Sequence, residues 1–530
     1  MTAIGIFRMQ QRLEDHWKRG QQFEAARDFP AARGEYEALI ALEVLHVPAL
    51  LRLSRFAQLD GRYGAAHRYA LRAADAMRLG ASTRNLAHVT LRLLDFAEDV
   101  EVASVILSAD WQDPAVLSQA PVLAQHLWLV GRYEDALRFL DAVEVRVPPN
   151  HLLTFTRGNV LRYLGQLDTA SASYEQSLRL QPTFADAHWA VATLRRPEPA
   201  TRLARLRVAS DHHPVDSLEQ AHVQYALFHE LDALGDTDEA WGALSRGAGI
   251  MHARVRDDAA SRQARLSNLM QPAWHPVDAD GVAVLQPLPV FLLGLPRTGT
   301  TLLDRILGNH GWVTSVGERN DLAASVGEAS DRFFTGMANE ADPQWMRELD
   351  HHRIGHLYME RLRRHASATA LAVDKNPSNL FNIPLILQSL PQARILVMRR
   401  DPMDSAFSNL KELFQGNAYP YSYGFAELAA HVDMAHRWIS YWVEAAPANI
   451  RVVDYESLVG DAEPTIASVL DFLGIPRHPG LADITRNEAP VATASSAQVR
   501  EPIHGRGIGA WKRYARQLEP LRAALDGSSR

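Results

Sequence analysis

The densest chemistry in this 530-residue chain lies in Pro296-Arg297-Thr298-Gly299-Thr300-Thr301. These residues follow a short apolar run, Pro289 to Leu293, that predicts a buried parallel strand. They precede an apolar-periodic segment, Thr301 to Leu307, that predicts a helix. A strand, a glycine-bounded loop and a helix N-terminus make a cradle for a phosphate-like anion, because loop N–H groups and the helix macrodipole converge there. Gly294 and Gly299 keep the spacing of the nucleotide-binding pattern G-x-x-x-x-G-K-[ST], yet Thr300 stands at the lysine position and Arg297 is the only cation in the loop. Without that lysine, a nucleoside-triphosphate phosphotransferase loses its strongest support. What remains is an anion site with one rigid guanidinium and two hydroxyls at its mouth. The plainer alternative is a Gly/Pro turn joining a core strand to a helix.

The loop resembles the 5′-phosphosulfate loop, P-[KR]-[ST]-G-T-T, of the sulfotransferase family, whose donor is 3′-phosphoadenosine 5′-phosphosulfate. Further segments are similar in the same order, over residues 288 to 515 or so. Gly317-Glu318-Arg319-Asn320 follows a strand-like Trp312 to Val316. In the protein-tyrosine sulfotransferase branch a glutamate there is the general base, a role that suits a carboxylate beside an attacking hydroxyl. Glu318 also fits a helix cap or a pair with Arg319. Val373-Asp374-Lys375-Asn376-Pro377 is similar to the family's K-x-P segment, which implies that Lys375 stabilises charge on the transferring group, with Asp374 as its structural partner. Arg394 to Met398 reads as a strand ending in Arg399-Arg400-Asp401-Pro402, followed by a helix carrying Ser408. The family's R-[DN]-P-x5-S motif implies that Arg400 and Ser408 hold the 3′-phosphate, one by a bidentate fork and the other by a hydroxyl. Tyr455, at the end of a strand from Ile450, is implied at the adenosine. Ser495-Ser496-Ala497-Gln498-Val499 is similar to the S-x-x-Q-V segment of the tyrosine-directed branch, which puts Ser495 on the sulfuryl group. Glu501 interrupts the basic-Pro pair expected after it. Gly505 to Lys512 is similar to the family's closing loop and implies Arg506 or Lys512 on the donor's phosphates and Trp511 as packing. A Gly-rich loop with ordinary surface charges is the other reading of that stretch.

Expected site residues are thus Glu318, Arg297, Lys375 and Ser495 for catalysis. The donor falls to Pro296, Arg297, Thr298, Gly299, Thr300, Thr301, Arg400, Ser408, Tyr455, Arg506 and Lys512. No metal is expected: His351, His352 and His356 include an i,i+4 pair but no third ligand, and fit a solvated helix face better. The lysines are confined to positions 18, 375, 411 and 512. A lysine inside a motif of this Arg-biased chain is therefore less readily a generic surface charge.

The elements that must position these groups come with a long helical preface. Residues 20 to 265 are Ala/Leu/Arg-rich and repeat at the 34-residue tetratricopeptide period: Ala136 returns as Ala170, Pro148 as Pro182, and Phe29 and Ala32 return as Tyr63 and Ala66. Gly131-Arg132-Tyr133 is echoed by Gly165-Gln166-Leu167, and Leu234-Gly235-Asp236 opens a last copy. Ala81 to Ala120 breaks the period. Composition (47% hydrophobic, 22% charged) is that of a soluble globular chain, and a net charge of −7 gives no global field for nucleic acid. No run of about 18 apolar residues predicts a membrane span, the N-terminus has no signal-peptide core, and the absence of cysteine fits a reducing compartment. The cytoplasm is the expected location.

The expected architecture is a TPR-like α-solenoid over 1–268, a linker over 269–288, and an α/β P-loop-like sulfotransferase domain with a central parallel sheet over 289–530. The expected activity is sulfuryl transfer to a hydroxyl, with a protein or peptide tyrosine as first choice and a carbohydrate, lipid or small molecule as alternatives. The solenoid would bind a protein acceptor, a partner, or a second copy in a homodimer. A rival from another class is a TPR interaction scaffold with an inactive nucleotide-binding domain.

Overall fold

The computed structural model describes residues 3–194, 198–274, 285–340, 343–366, 369–414, 416, 418–493 and 495–528. Packing divides the chain into two compact units, Met1–Val160 with Asp321–Phe334, and Leu161–Asn320 with Thr335–Arg530. The linker expected at 269–288 has residues 275–284 outside the described ones.

The first unit is built from antiparallel helix pairs, among them Val47–Leu59 with Tyr63–Arg78 and Ala120–Leu129 with Tyr133–Glu144. The repeat residues do what their size allows. Ala32, Ala66 and Ala136 are fully buried where helices touch, and aromatic rings fill the grooves, Tyr36 lying 6.0 Å from Phe56 and Tyr63 5.1 Å from Phe96. Gly131, and Gly165 at the start of the second unit, take the left-handed turn before each second helix, with φ of 77° and 81°. Where the period breaks, the helices Leu86–Leu94, Asp99–Leu107 and Pro114–Ser118 shrink to nine, nine and five residues. The helix Asp321–Ser330 joins this unit by a close fit: a Cβ on Gly327 would lie 2.5 Å from the Tyr63 ring, and Asp331 accepts the Gly64 N–H at 2.5 Å.

In the second unit a five-stranded sheet is formed by β1 (Leu288–Leu293), β2 (Val313–Gly317), β3 (Leu371–Asp374), β4 (Arg394–Arg399) and β5 (Ile450–Asp454). All its pairs are parallel and the order is β2-β3-β1-β4-β5. Covered on both faces, β1 needs an unbroken apolar run. Val290 and Leu292 pack with Leu303, Ile306 and Leu470 on one side, while Phe291 stacks on Tyr358 at 5.3 Å on the other. The later helical repeats pack in this same unit. The Tyr225 hydroxyl donates to the Leu410 carbonyl at 3.0 Å, and Tyr514 lies against Phe228 and Trp241 with Arg513 on Asp232 at 2.7 Å. Among the described residues no helix is long and apolar enough to cross a membrane.

One packing constraint is testable directly. Gly355, in the helix His351–Ala366, faces backbone: a Cβ there would overlap the carbonyl oxygen of Ser389. Gly355→Ala is expected to destabilise the second unit by about 1–3 kcal/mol, seen as an earlier urea transition followed by tryptophan fluorescence.

Candidate active site

The strand order reverses between β1, whose chain continues to β2 on one side, and β4, whose chain continues to β5 on the other. A crevice therefore opens at the carboxyl ends of β1 and β4, where open α/β sheets place their ligands. The 294–299 loop leaves β1 there and enters the helix Thr300–Leu307. Two glycines make the loop's course feasible. A Cβ on Gly294 (φ 154°) would lie 2.9 Å from the Met398 carbonyl oxygen of β4, and one on Gly299 (φ 104°) would lie 2.6 Å from the Tyr455 ring. Arg297 takes a left-handed φ of 69° without being glycine, a cost on the order of 1 kcal/mol that surrounding bonds must offset. Arg400 Nη1 donates to the Arg297 carbonyl at 2.8 Å and Asn409 Nδ2 to the Pro296 carbonyl at 2.9 Å.

That backbone aims the Arg297 guanidinium across the cleft. It donates to Ser495 Oγ at 2.6 Å, Gln498 Oε1 at 3.2 Å and Ser408 Oγ at 3.4 Å, with the Glu412 carboxylate 3.9 Å away. Gly299, Thr300 and Thr301 line the same cleft with Arg400 and Tyr455, around a cavity of about 100 Å³. The first N–H groups of the helix have no intrahelical partner and are available to an anion.

Arg400 is buried, lies 4.5 Å over the Tyr455 ring and donates to the Gly507 carbonyl. Burial lowers its pKa, Tyr455 and Asp404 opposing and Arg297 adding to the shift. Its Nε is buried with no hydrogen-bond partner. The Arg-Asp-Pro spacing has a local reason: Asp401 caps the helix Pro402–Leu410 by accepting the Asp404 N–H at 2.9 Å, and proline suits the first helical position. Asp404 accepts the N–H groups of Gly509 at 2.6 Å and Trp511 at 3.4 Å, which fixes the C-terminal glycine loop behind Arg400. Ser408 leans to Arg297 rather than to Arg400. Arg506 and Lys512 are exposed, Arg506 pairs with Glu501, and neither lines the cleft.

A second group sits at the ends of β2 and β3. Lys375 is 3% exposed, and its Nζ lies 2.5 Å from Glu318 Oε1. Its N–H donates to the Gly317 carbonyl at 2.9 Å, and Asn376 Nδ2 donates to the Arg319 carbonyl at 2.7 Å. Asp374 is not its partner: it accepts from Tyr358 Oη at 3.1 Å and from the Asn376 N–H at 3.0 Å. Asp304, one turn into the helix that starts at the loop, lies near this second group. Burial raises its pKa while neighbouring Lys375 and Ser315 pull it down. Tyr419 borders the same region, its phenol pushed up by burial and by the Glu318 carboxylate.

Sequence reasoning assigned no role to Gln498, Asn409, Asp404 or Asp304. Gln498 was visible in its S-x-x-Q-V segment, and Asp304 as a lone acid on an apolar helix. Asn409 and Asp404 act on backbone groups about a hundred residues away and left no local signal. Of the histidines, His351 is half-buried against Ser389 at 3.3 Å, whereas His352 and His356 are exposed.

Residues 289–479 match the Sulfotransferase family and residues 158–194 match the TPR repeat. A sulfotransferase from Mycobacterium tuberculosis is similar at 16% identity over 56% of this chain and 97% of its own, with a TM-score of 0.28. An uncharacterized protein of Aquifex aeolicus is 24% identical over 371 residues, 68% of this chain and 48% of that protein. The chain thus spans about half the length of that relative. Nodulation protein H of Rhizobium meliloti is 27% identical over 212 residues, 37% of this chain and 80% of that protein. The strands and loops that carry Arg297, Glu318, Lys375 and Arg400 therefore lie within a C-terminal sulfotransferase family domain, preceded by a TPR repeat.

Proposed function

We propose that the chain moves a sulfuryl group from 3′-phosphoadenosine 5′-phosphosulfate to an acceptor hydroxyl, with a protein or peptide tyrosine as the acceptor. The observation that carries this reading is the meeting of two arginines at the switch point, Arg297 inside the loop and Arg400 behind it, the latter with a buried Nε that has no partner. An unsatisfied buried guanidinium nitrogen costs about 1–3 kcal/mol, more for a charged group, which a bound phosphate oxygen would recover. A donor with anions at both its 5′ and 3′ positions suits the pair: the 5′-phosphosulfate on Gly299, Thr300 and Thr301, the 3′-phosphate on Arg400 and Ser408, and the adenosine near Tyr455. Arg506 and Lys512 would add positive charge on the solvent side.

In the transfer, the acceptor oxygen forms a bond to sulfur as the bond from sulfur to the 5′-phosphate oxygen breaks. The acceptor proton passes to Glu318, and the electron pair leaves with 3′-phosphoadenosine 5′-phosphate. In this reading Lys375, which donates to Glu318, shares the charge that develops on the transferring group. Arg297 and Ser495 address charge developing on the sulfuryl and bridging oxygens. The tyrosine acceptor rests on the trio Glu318, Lys375 and Ser495, with the helical repeats presenting the protein that carries it. Absence of cysteine supports a cytoplasmic setting.

Calorimetry with 3′-phosphoadenosine 5′-phosphate tests the donor. Wild type is expected to bind it in preference to ATP–magnesium, and Arg400→Ala to weaken it by roughly 10- to 150-fold, the scale of a charged hydrogen bond. Equal affinity of both proteins for 3′-phosphoadenosine 5′-phosphate would contradict the assignment. For the base, Glu318→Gln is expected to leave the nucleotide Kd unchanged while lowering kcat on a tyrosine peptide by about 10²- to 10⁴-fold. Activity confined to sugar hydroxyls would move the acceptor class.

A further inference from the structure

Ser495 meets Arg297 from a stretch of chain with little regular structure: the described residues of 487–500 hold one short 3-10 turn, Gln498–Arg500. Their placement comes from side chains on either side. From the α/β side, Arg305 donates to the Asn487 and Ala489 carbonyls. From the helical side, the end of the repeat helix His151–Tyr163 does the rest. The Tyr163 carbonyl, past the reach of intrahelical bonding, accepts the Val491 N–H at 2.9 Å and Arg500 Nη2 at 3.2 Å. Arg500 also holds the Ala489 and Asn487 carbonyls at 2.9 and 3.2 Å. It lies so close to Gly165 that a Cβ there would stand 2.7 Å from its guanidinium carbon. Arg162 is buried and donates Nε to Ser496 Oγ at 2.9 Å and Nη1 to Thr193 Oγ1 at 3.0 Å. Adjacent residues thus turn opposite ways: Ser496, fully buried, to the repeat, and Ser495 to Arg297.

We infer that Arg162 is a positioning residue for sulfuryl transfer, and that the TPR repeat braces the active site from behind: it fixes Ser496 so that Ser495 meets the Arg297 guanidinium. The catalytic part of this inference rests on the sulfotransferase reading; the structural part does not. The repeat is then more than an acceptor-docking module, because a side chain inside its own helix pair holds the residue next to Ser495, which meets the loop's Arg297.

The experiment uses the full chain with Arg162→Gln and, in case that variant folds poorly, Ser496→Ala, which removes the same bond from the smaller end. Hydrogen exchange is read on peptides covering 491–500, with the β1 peptide 288–293 as internal reference. Either variant is expected to speed exchange in 491–500 about tenfold and leave β1 unchanged. Unchanged protection in 491–500 overturns the brace, whether or not the protein transfers sulfuryl groups. The catalytic part is read as a double-mutant cycle on kcat with Ser495→Ala. Arg162→Gln is expected to cost roughly tenfold alone and under about twofold in the Ser495→Ala background. Additive losses overturn a route through Ser495. A wild type that neither binds the 3′-phosphate nucleotide nor turns over refutes the sulfotransferase reading instead, and the exchange data still decide the brace.

Discussion

The hydrogen bond from Arg400 to the Arg297 carbonyl is the interaction on which the site depends. It holds a non-glycine residue in a left-handed conformation and thereby aims one guanidinium across the cleft. It also brings two cations together, and Arg297 is among the causes that lower the Arg400 pKa. Like charges this near are unfavourable. Carbonyl oxygens, the Tyr455 ring and Glu412 at 3.9 Å offset part of that, and one buried nitrogen stays unsatisfied. A bound polyanion would remove the remaining penalty, which is the physical basis of the proposed donor site.

Much of this was legible in the chain. Parallel strands buried on both faces must be apolar throughout, which marked β1 and β4, and the loop glycines are irreplaceable because a Cβ would strike Met398 backbone or the Tyr455 ring. Arg-Asp-Pro was legible because it joins a strand end to a helix cap. The partners of long side chains were not. Lys375 was expected beside Asp374, but consecutive residues at a strand end point apart, and Lys375 reaches the neighbouring strand end at Glu318. Arg506 and Lys512 were expected at the donor from the loop pattern; both are exposed, Arg506 on Glu501, while the loop's N–H groups lie on Asp404. Nor does sequence periodicity reveal where one compact unit stops: the 34-residue repeat runs past Val160 without a break, and the packing partners change there.

The helical array and the α/β fold are thus not separable by pattern. Tyr225, Phe228 and Trp241 of the later repeats pack on elements of the sheet-bearing half, and Arg162 and Tyr163 hold the segment that carries Ser495. A repeat that stacks only on its neighbours gains stability from them alone; here the last repeats also gain it from packing on Leu410 and Tyr514.

The most direct measurement of the central claim is a crystal structure of the chain with 3′-phosphoadenosine 5′-phosphate. The account predicts the 5′-phosphate on the amides of Gly299 to Thr301 and the 3′-phosphate within hydrogen-bond distance of Arg400 Nε. A nucleotide bound in the reverse sense, or with its 3′-phosphate in solvent and Arg400 Nε still unpartnered, would contradict it.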